Sequence, residues 1–136
     1  MRNLALWFAA GLLAVPLFHQ TALLILGWAG LPAFAAFDTT PTAPFGVPQV
    51  VSSSFWGGLW GVVLGIASRW FGGGARYWLF CALLGATAPM VVAVLVVLPL
   101  KQIEHEGAPA LLLLVGLTIN AAWGVGAALL RRLFPA

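Results

Sequence analysis

Apolar residues fall along this chain in four long blocks, separated by short stretches that are polar, charged or rich in proline and glycine. The blocks cover residues 4–28, 55–71, 78–98 and 108–130. A helix needs roughly 20 residues to cross a hydrocarbon core of about 30 Å, so each block reads as a membrane span. A barrel wall would need polar and apolar positions to alternate, and none of the blocks does so. The pattern predicts an all-α membrane protein. It is expected to be a single four-transmembrane-helix bundle over residues 1–136, with a proline-rich loop at 31–54.

Inside the second block, FWGGLWGVVLGIASRWF spaces Gly57, Gly61 and Gly65 four apart and ends the series at Arg69. Residues four apart share one face of a helix. Helices surrounded by lipid gain little from hydrophobicity by associating, so small residues that let backbones approach become a main source of contact. The third block carries Cys81, Gly85, Pro89 and Ala93 at the same interval, and the fourth carries Gly116, Asn120, Gly124 and Ala128. These ridges predict tight packing, either within one chain or between copies. Arg69 then falls where the second helix meets the headgroups.

Composition strengthens the membrane assignment: 62 % of residues are hydrophobic, 7 % are charged and the mean hydropathy is +1.06. A soluble domain carries roughly a quarter charged residues. The net charge of +3 would suit nucleic acid if it were spread over one surface, but its placement points to topology instead. Arg2, Arg69, Arg76, Arg131 and Arg132 all fall on one side of the predicted bundle; Lys101, Asp38, Glu104 and Glu106 fall on the other. Basic residues mark the cytoplasmic side, so both termini are expected there, with the five arginines as topology anchors and the lipid bilayer as the partner. Met1-Arg2-Asn3, the apolar run and Ala33-Phe34-Ala35-Ala36 imitate a secretory signal. The apolar run outlasts the roughly 7 to 15 residues of such a signal and reads as an uncleaved span.

The two halves resemble each other. Trp60-Gly61-Val62 with Arg69 and Phe71 aligns without gaps with Trp123-Gly124-Val125 with Arg132 and Phe134, and Leu31-Pro32 and Leu98-Pro99 likewise end the first and third spans. Two repeated helical hairpins would give this, related by an axis along the membrane normal.

Candidate chemistry is sparse. Pro16, His19, Gln20 and Thr21 in the first span, Thr87 and Pro89 in the third, and Thr118 and Asn120 in the fourth fall near mid-depth at 1.5 Å per residue. His19, Gln20, Thr87 and Asn120 are therefore the candidate polar layer. Each proline removes a helix hydrogen bond, freeing the carbonyls of Leu12 and Gly85, to which Gln20 and Asn120 could donate. An ionisable residue within a span is a functional hypothesis by default, which singles out His19. The competing reading makes these residues interhelical hydrogen bonds worth about 0.6 to 2 kcal/mol each.

In the loops, Asp38 is expected to form a turn with Thr39 and Thr40, and Ser52 to Ser54 to cap the second helix. Glu104, His105 and Glu106 are weak metal candidates, because three adjacent side chains converge poorly on one ion. Cys81 is expected to be a small packing residue. No catalytic constellation and no cofactor motif is evident, so the sequence reads as noncatalytic.

APFGVPQ, FWGGLWG, LPLK and NAAWG, together with FHQ in the first span, resemble a group of small uncharacterised bacterial membrane proteins. The resemblance covers most of the chain. It implies four spans in a bacterial inner membrane and transfers no site residues. The first span lacks the membrane glutamate of small multidrug transporters, and the polar and phenylalanine motifs of fluoride channels are not evident. Two functions remain: a noncatalytic accessory or self-associating subunit of a homo-oligomer or larger membrane complex, or a channel or transporter for a small solute lined by the polar layer.

Overall fold

The computed structural model describes residues 2–31, 34–101 and 108–134. Four helices, Asn3–Trp28, Gln49–Phe71, Ala75–Leu100 and Pro109–Leu133, are each long and apolar enough to cross a membrane. The first and second helices form one hairpin, and the third and fourth form another. The hairpins join through the first and fourth helices. The second helix meets the third and fourth only marginally, and the first and third do not meet among the described residues.

Glycine sets both hairpin crossings. A Cβ added at Gly61 would collide with the carbonyl oxygen of Trp7 and lie 2.9 Å from the Cα of Gly11. One added at Gly124 would collide with the carbonyl oxygen of Cys81 and lie 3.0 Å from the Cα of Gly85. The reciprocal contacts match as well: Gly11 faces the Gly57 carbonyl oxygen and Gly61 Cα, while Gly85 faces the Asn120 carbonyl oxygen and Gly124 Cα. Both hairpins thus cross backbone on backbone, with Gly61 and Gly124 in equivalent places. Gly65 instead receives the Trp7 ring, Gly58 the Phe8 ring, Gly126 the Phe18 ring and Gly116 the end of Met90. The glycines of the ridges are thus packed inside the chain.

The main core lies beside these crossings and includes Trp7, Ala14, Leu64, Cys81, Trp123 and Ala127. A smaller cluster of Leu23, Val115 and Ile119 lies under the proline-rich loop. At the end holding the termini, the Arg131 guanidinium donates to Asn3 Oδ1 at 2.6 Å. Arg132 sits 4.5 Å from the ring centre of Tyr77 and 4.6 Å from that of Trp78, an arrangement that pairs a weakly hydrated cation with two aromatic faces. Phe71 stacks on Phe80 at 3.8 Å. Between them the chain turns through Gly72 and Gly74, both at positive φ, which glycine adopts without a Cβ penalty.

At the other end, the first helix stops in a Schellman motif, with Gly30 at positive φ and Leu31 N–H bonded to the Leu26 carbonyl. Pro41–Thr42 and Val47–Pro48 then pair antiparallel. The second helix starts at Gln49, six residues before the expected Phe55. The loop itself supplies the start: the carbonyls of Thr40 and Asp38 accept from Gln49 N–H and Val50 N–H, two of the donors that every helix N-terminus leaves over. Ser53 and Ser54 therefore lie inside the helix and are not caps. Ser54 Oγ bonds back to the Val50 carbonyl.

Replacing Gly61 or Gly124 by Ala should lower the thermal unfolding midpoint in detergent, by an amount equivalent to about 1 to 3 kcal/mol of overpacking. Gly27, with nothing within 4 Å of an added Cβ, should accept Ala without loss. Equal melting of all three variants would contradict the backbone crossings.

Candidate functional site

The first helix contains a wide turn at Val15–His19, where Gln20 N–H reaches the Val15 carbonyl five residues back. Pro16 supplies the cause, since it has no N–H to keep the regular ladder. A second wide turn, Ala93–Val97, interrupts the third helix four residues after Pro89, and there Leu98 N–H bonds to the Ala93 carbonyl. Single turns of this kind re-aim the side chains around them and recur at functional sites.

Gln20 is buried, and its side chain bridges two elements. Its Oε1 accepts from Phe37 N–H at 2.7 Å, and its Nε2 lies 3.3 Å from His19 Nδ1. A backbone N–H can only donate, so Oε1 must face the loop and Nε2 the imidazole. His19 Nδ1 is then an acceptor, and its proton sits on Nε2. The same bond holds Phe37 at φ 54, a left-handed conformation costing of order 1–2 kcal/mol for a residue with a Cβ.

His19 and Gln20 line a cleft of about 390 Å³. All four helices and the proline-rich loop contribute to it: Leu23 from the first helix, Gln49, Val50 and Ser53 from the second, Val97 and Leu98 from the third, Ile119 from the fourth, and Phe34, Ala35 and Asp38 from the loop. Gln49 Nε2 donates to Ser53 Oγ at 3.1 Å. Asp38 Oδ1 accepts from both the Thr40 amide at 2.8 Å and the Thr40 hydroxyl at 2.6 Å. These bonds, the hydroxyl's first, hold the Asp38 carboxyl below the usual carboxylate range, against a smaller opposing effect of desolvation.

The other members of the expected polar layer do not reach this cleft. Thr87 Oγ1 donates to the Leu83 carbonyl at 2.7 Å, and Asn120 Nδ2 donates to the Gly116 carbonyl at 2.8 Å, each within its own helix. Neither Gln20 nor Asn120 serves a carbonyl freed by proline. Trp123 makes the interior side-chain bond between helices instead: its indole Nε1–H donates to the Gly11 carbonyl at 2.9 Å.

Arg69, Arg76, Arg131 and Arg132 all lie toward the end that holds the termini. Glu104, His105 and Glu106 lie outside the described residues, as do the side chains of Arg2 and Lys101. Among the described residues, no group of three His, Cys, Asp or Glu side chains could hold a metal ion. Cys81 is buried. Gln49 and Asp38 were not grouped with His19 from the sequence. A glutamine directly after Pro48, at the edge of an apolar span, was the available signal.

Comparison with protein-family models, with curated proteins and with solved structures gives no match.

Gln20→Leu should speed hydrogen exchange at the Phe37 amide at least tenfold and leave amides beside Gly61 unchanged; unaltered exchange would remove Gln20 as the loop's anchor. The Asp38 turn has a definite pH sign. With the folded pKa depressed, its contribution is complete above the ordinary carboxylate value of about 3.9 and is lost as pH falls through the lower folded value. Thr40→Val should move the Asp38 midpoint upward in an NMR titration, because it removes the larger of the two causes.

Proposed function

We propose that the chain is a noncatalytic multi-pass protein of a bacterial inner membrane, with both termini cytoplasmic, acting as a small subunit of a homo-oligomer or a larger membrane complex. The observation that carries this reading is the commitment of the polar side chains of the spans to structure. Gln20 ties down the loop, Trp123 joins the first helix to the fourth, and Thr87, Thr118 and Asn120 each bond to a carbonyl of their own helix.

The surface supports the subunit part of the proposal. The most apolar stretch of the third helix is 11 % buried, against 33 % for the first and fourth. Leu79, Leu83, Val91 and Leu95 stand exposed along it. With the glycine ridges used inside the hairpins, this large-residue face is the surface left for lipid or for a partner helix that brings small residues of its own. The orientation rests on the arginines at the terminal end and Asp38 at the loop end, read by the charge bias of cytoplasmic loops.

A second reading, solute permeation, draws on the cleft lined by His19. Against it, Ala10, Ala14, Val15 and Leu64 of the first hairpin are buried apolar side chains.

Native mass spectrometry of the protein, gently extracted from its membrane, should find more than one chain per particle, either copies of itself or a stoichiometric partner. A strictly monomeric particle, joined to solute flux that His19→Ala abolishes without lowering the melting temperature, would replace the subunit reading with permeation.

A further inference from the structure

The cleft at the loop end has a built chemistry that neither the packing nor the subunit reading uses. All four helices and the proline-rich loop contribute to its lining, which includes His19 and Val97, each the last residue of a wide turn. At about 390 Å³ it falls within the roughly 300 to 1,000 Å³ typical of small-molecule sites.

The polar groups of the lining, Asp38, Gln49, Ser53, His19 and Gln20, all come from the loop and first hairpin, interspersed there with Leu23 and Val50, whereas the second hairpin contributes only the apolar Val97, Leu98 and Ile119. Both Thr40 bonds fall on Asp38 Oδ1, leaving Oδ2 with no hydrogen bond among the described residues. Gln49 spends an N–H on Ser53, so its Oε1 and the Ser53 hydroxyl proton stay available to a guest. Among the described residues no Lys or Arg side chain lines the cleft; the described arginine side chains lie toward the opposite end of the bundle. Among the described residues Asp38 is therefore the one charged group of the lining, and it gives the mouth a negative potential.

We propose that this cleft binds an amphiphile that carries an ammonium group, with the ammonium against Asp38 and Gln49 and an apolar body against Val97, Leu98 and Ile119. Two sources share that chemistry: a membrane lipid with a primary ammonium headgroup, and a soluble organic amine.

The test uses the full chain in detergent micelles and two probes. Phosphatidylethanolamine, offered in equal amount with phosphatidylglycerol, is followed by native mass spectrometry. Benzyltrimethylammonium, with benzenesulfonate as the anionic control, is followed by calorimetry. Asp38→Asn removes the charge while keeping an oxygen for the Thr40 turn; Val97→Trp fills the cleft without touching charge. Thermal melting identifies any variant that has lost its fold. At least one ammonium-bearing probe should bind in preference to its anionic control, with a loss of tenfold or more in each variant that melts like the parent. Preferential retention of the lipid assigns the site to a headgroup, and binding of benzyltrimethylammonium alone assigns it to a soluble amine. Binding of neither probe, equal binding of the anionic control, or affinity unchanged in a folded variant of either kind overturns the proposal.

Discussion

Contact of backbone with backbone at Gly61 and Gly124 is the constraint on which the rest of the bundle depends. In water, two helices can be held together by large apolar side chains at 8 to 10 Å between axes. In lipid that force is weak, and close approach replaces it. Each hairpin therefore crosses where glycine faces glycine, and the larger side chains arrange themselves around that crossing. Trp7 lies over Gly65, Phe18 over Gly126 and Phe8 over Gly58. A rigid hairpin in turn fixes where its ends emerge, and this sets the loop end and the cleft.

The amino-acid sequence made much of this legible. Four spans, their ridges and the turn at Asp38 could all be read from spacing and residue type. The pairing of ridges could not. Gly57, Gly61 and Gly65 announce a small-residue face, but their partner Gly11 has no glycine four residues to either side and forms no visible series. The equivalence of Gly61 and Gly124 was visible as a shared Trp-Gly-Val; the matching of Gly11 with Gly85 was not, because the residues around them differ.

Polar residues were the least legible. Depth alone grouped His19, Gln20, Thr87 and Asn120, yet depth does not say which way a helix face turns. Thr87 and Asn120 had an acceptor one turn back in their own helices, and such a local bond is always in reach. Gln20 had a loop amide opposite it, which only the folded path of residues 34–40 brings near. The early start of the second helix has the same origin: its first donors are met by carbonyls of Thr40 and Asp38, several residues back along a proline-rich chain.

The bond from the Trp123 indole to the Gly11 carbonyl spans 112 residues, almost the whole chain, whereas each glycine crossing joins consecutive helices. This difference imposes an order of events during synthesis. Each hairpin can close as soon as its own second helix has been made. The join between them must wait for the fourth helix. Until then the first hairpin leaves uncovered the surface that will later carry Trp123, and Asn3 lacks its Arg131 partner. The first helix is thus the last to be sealed.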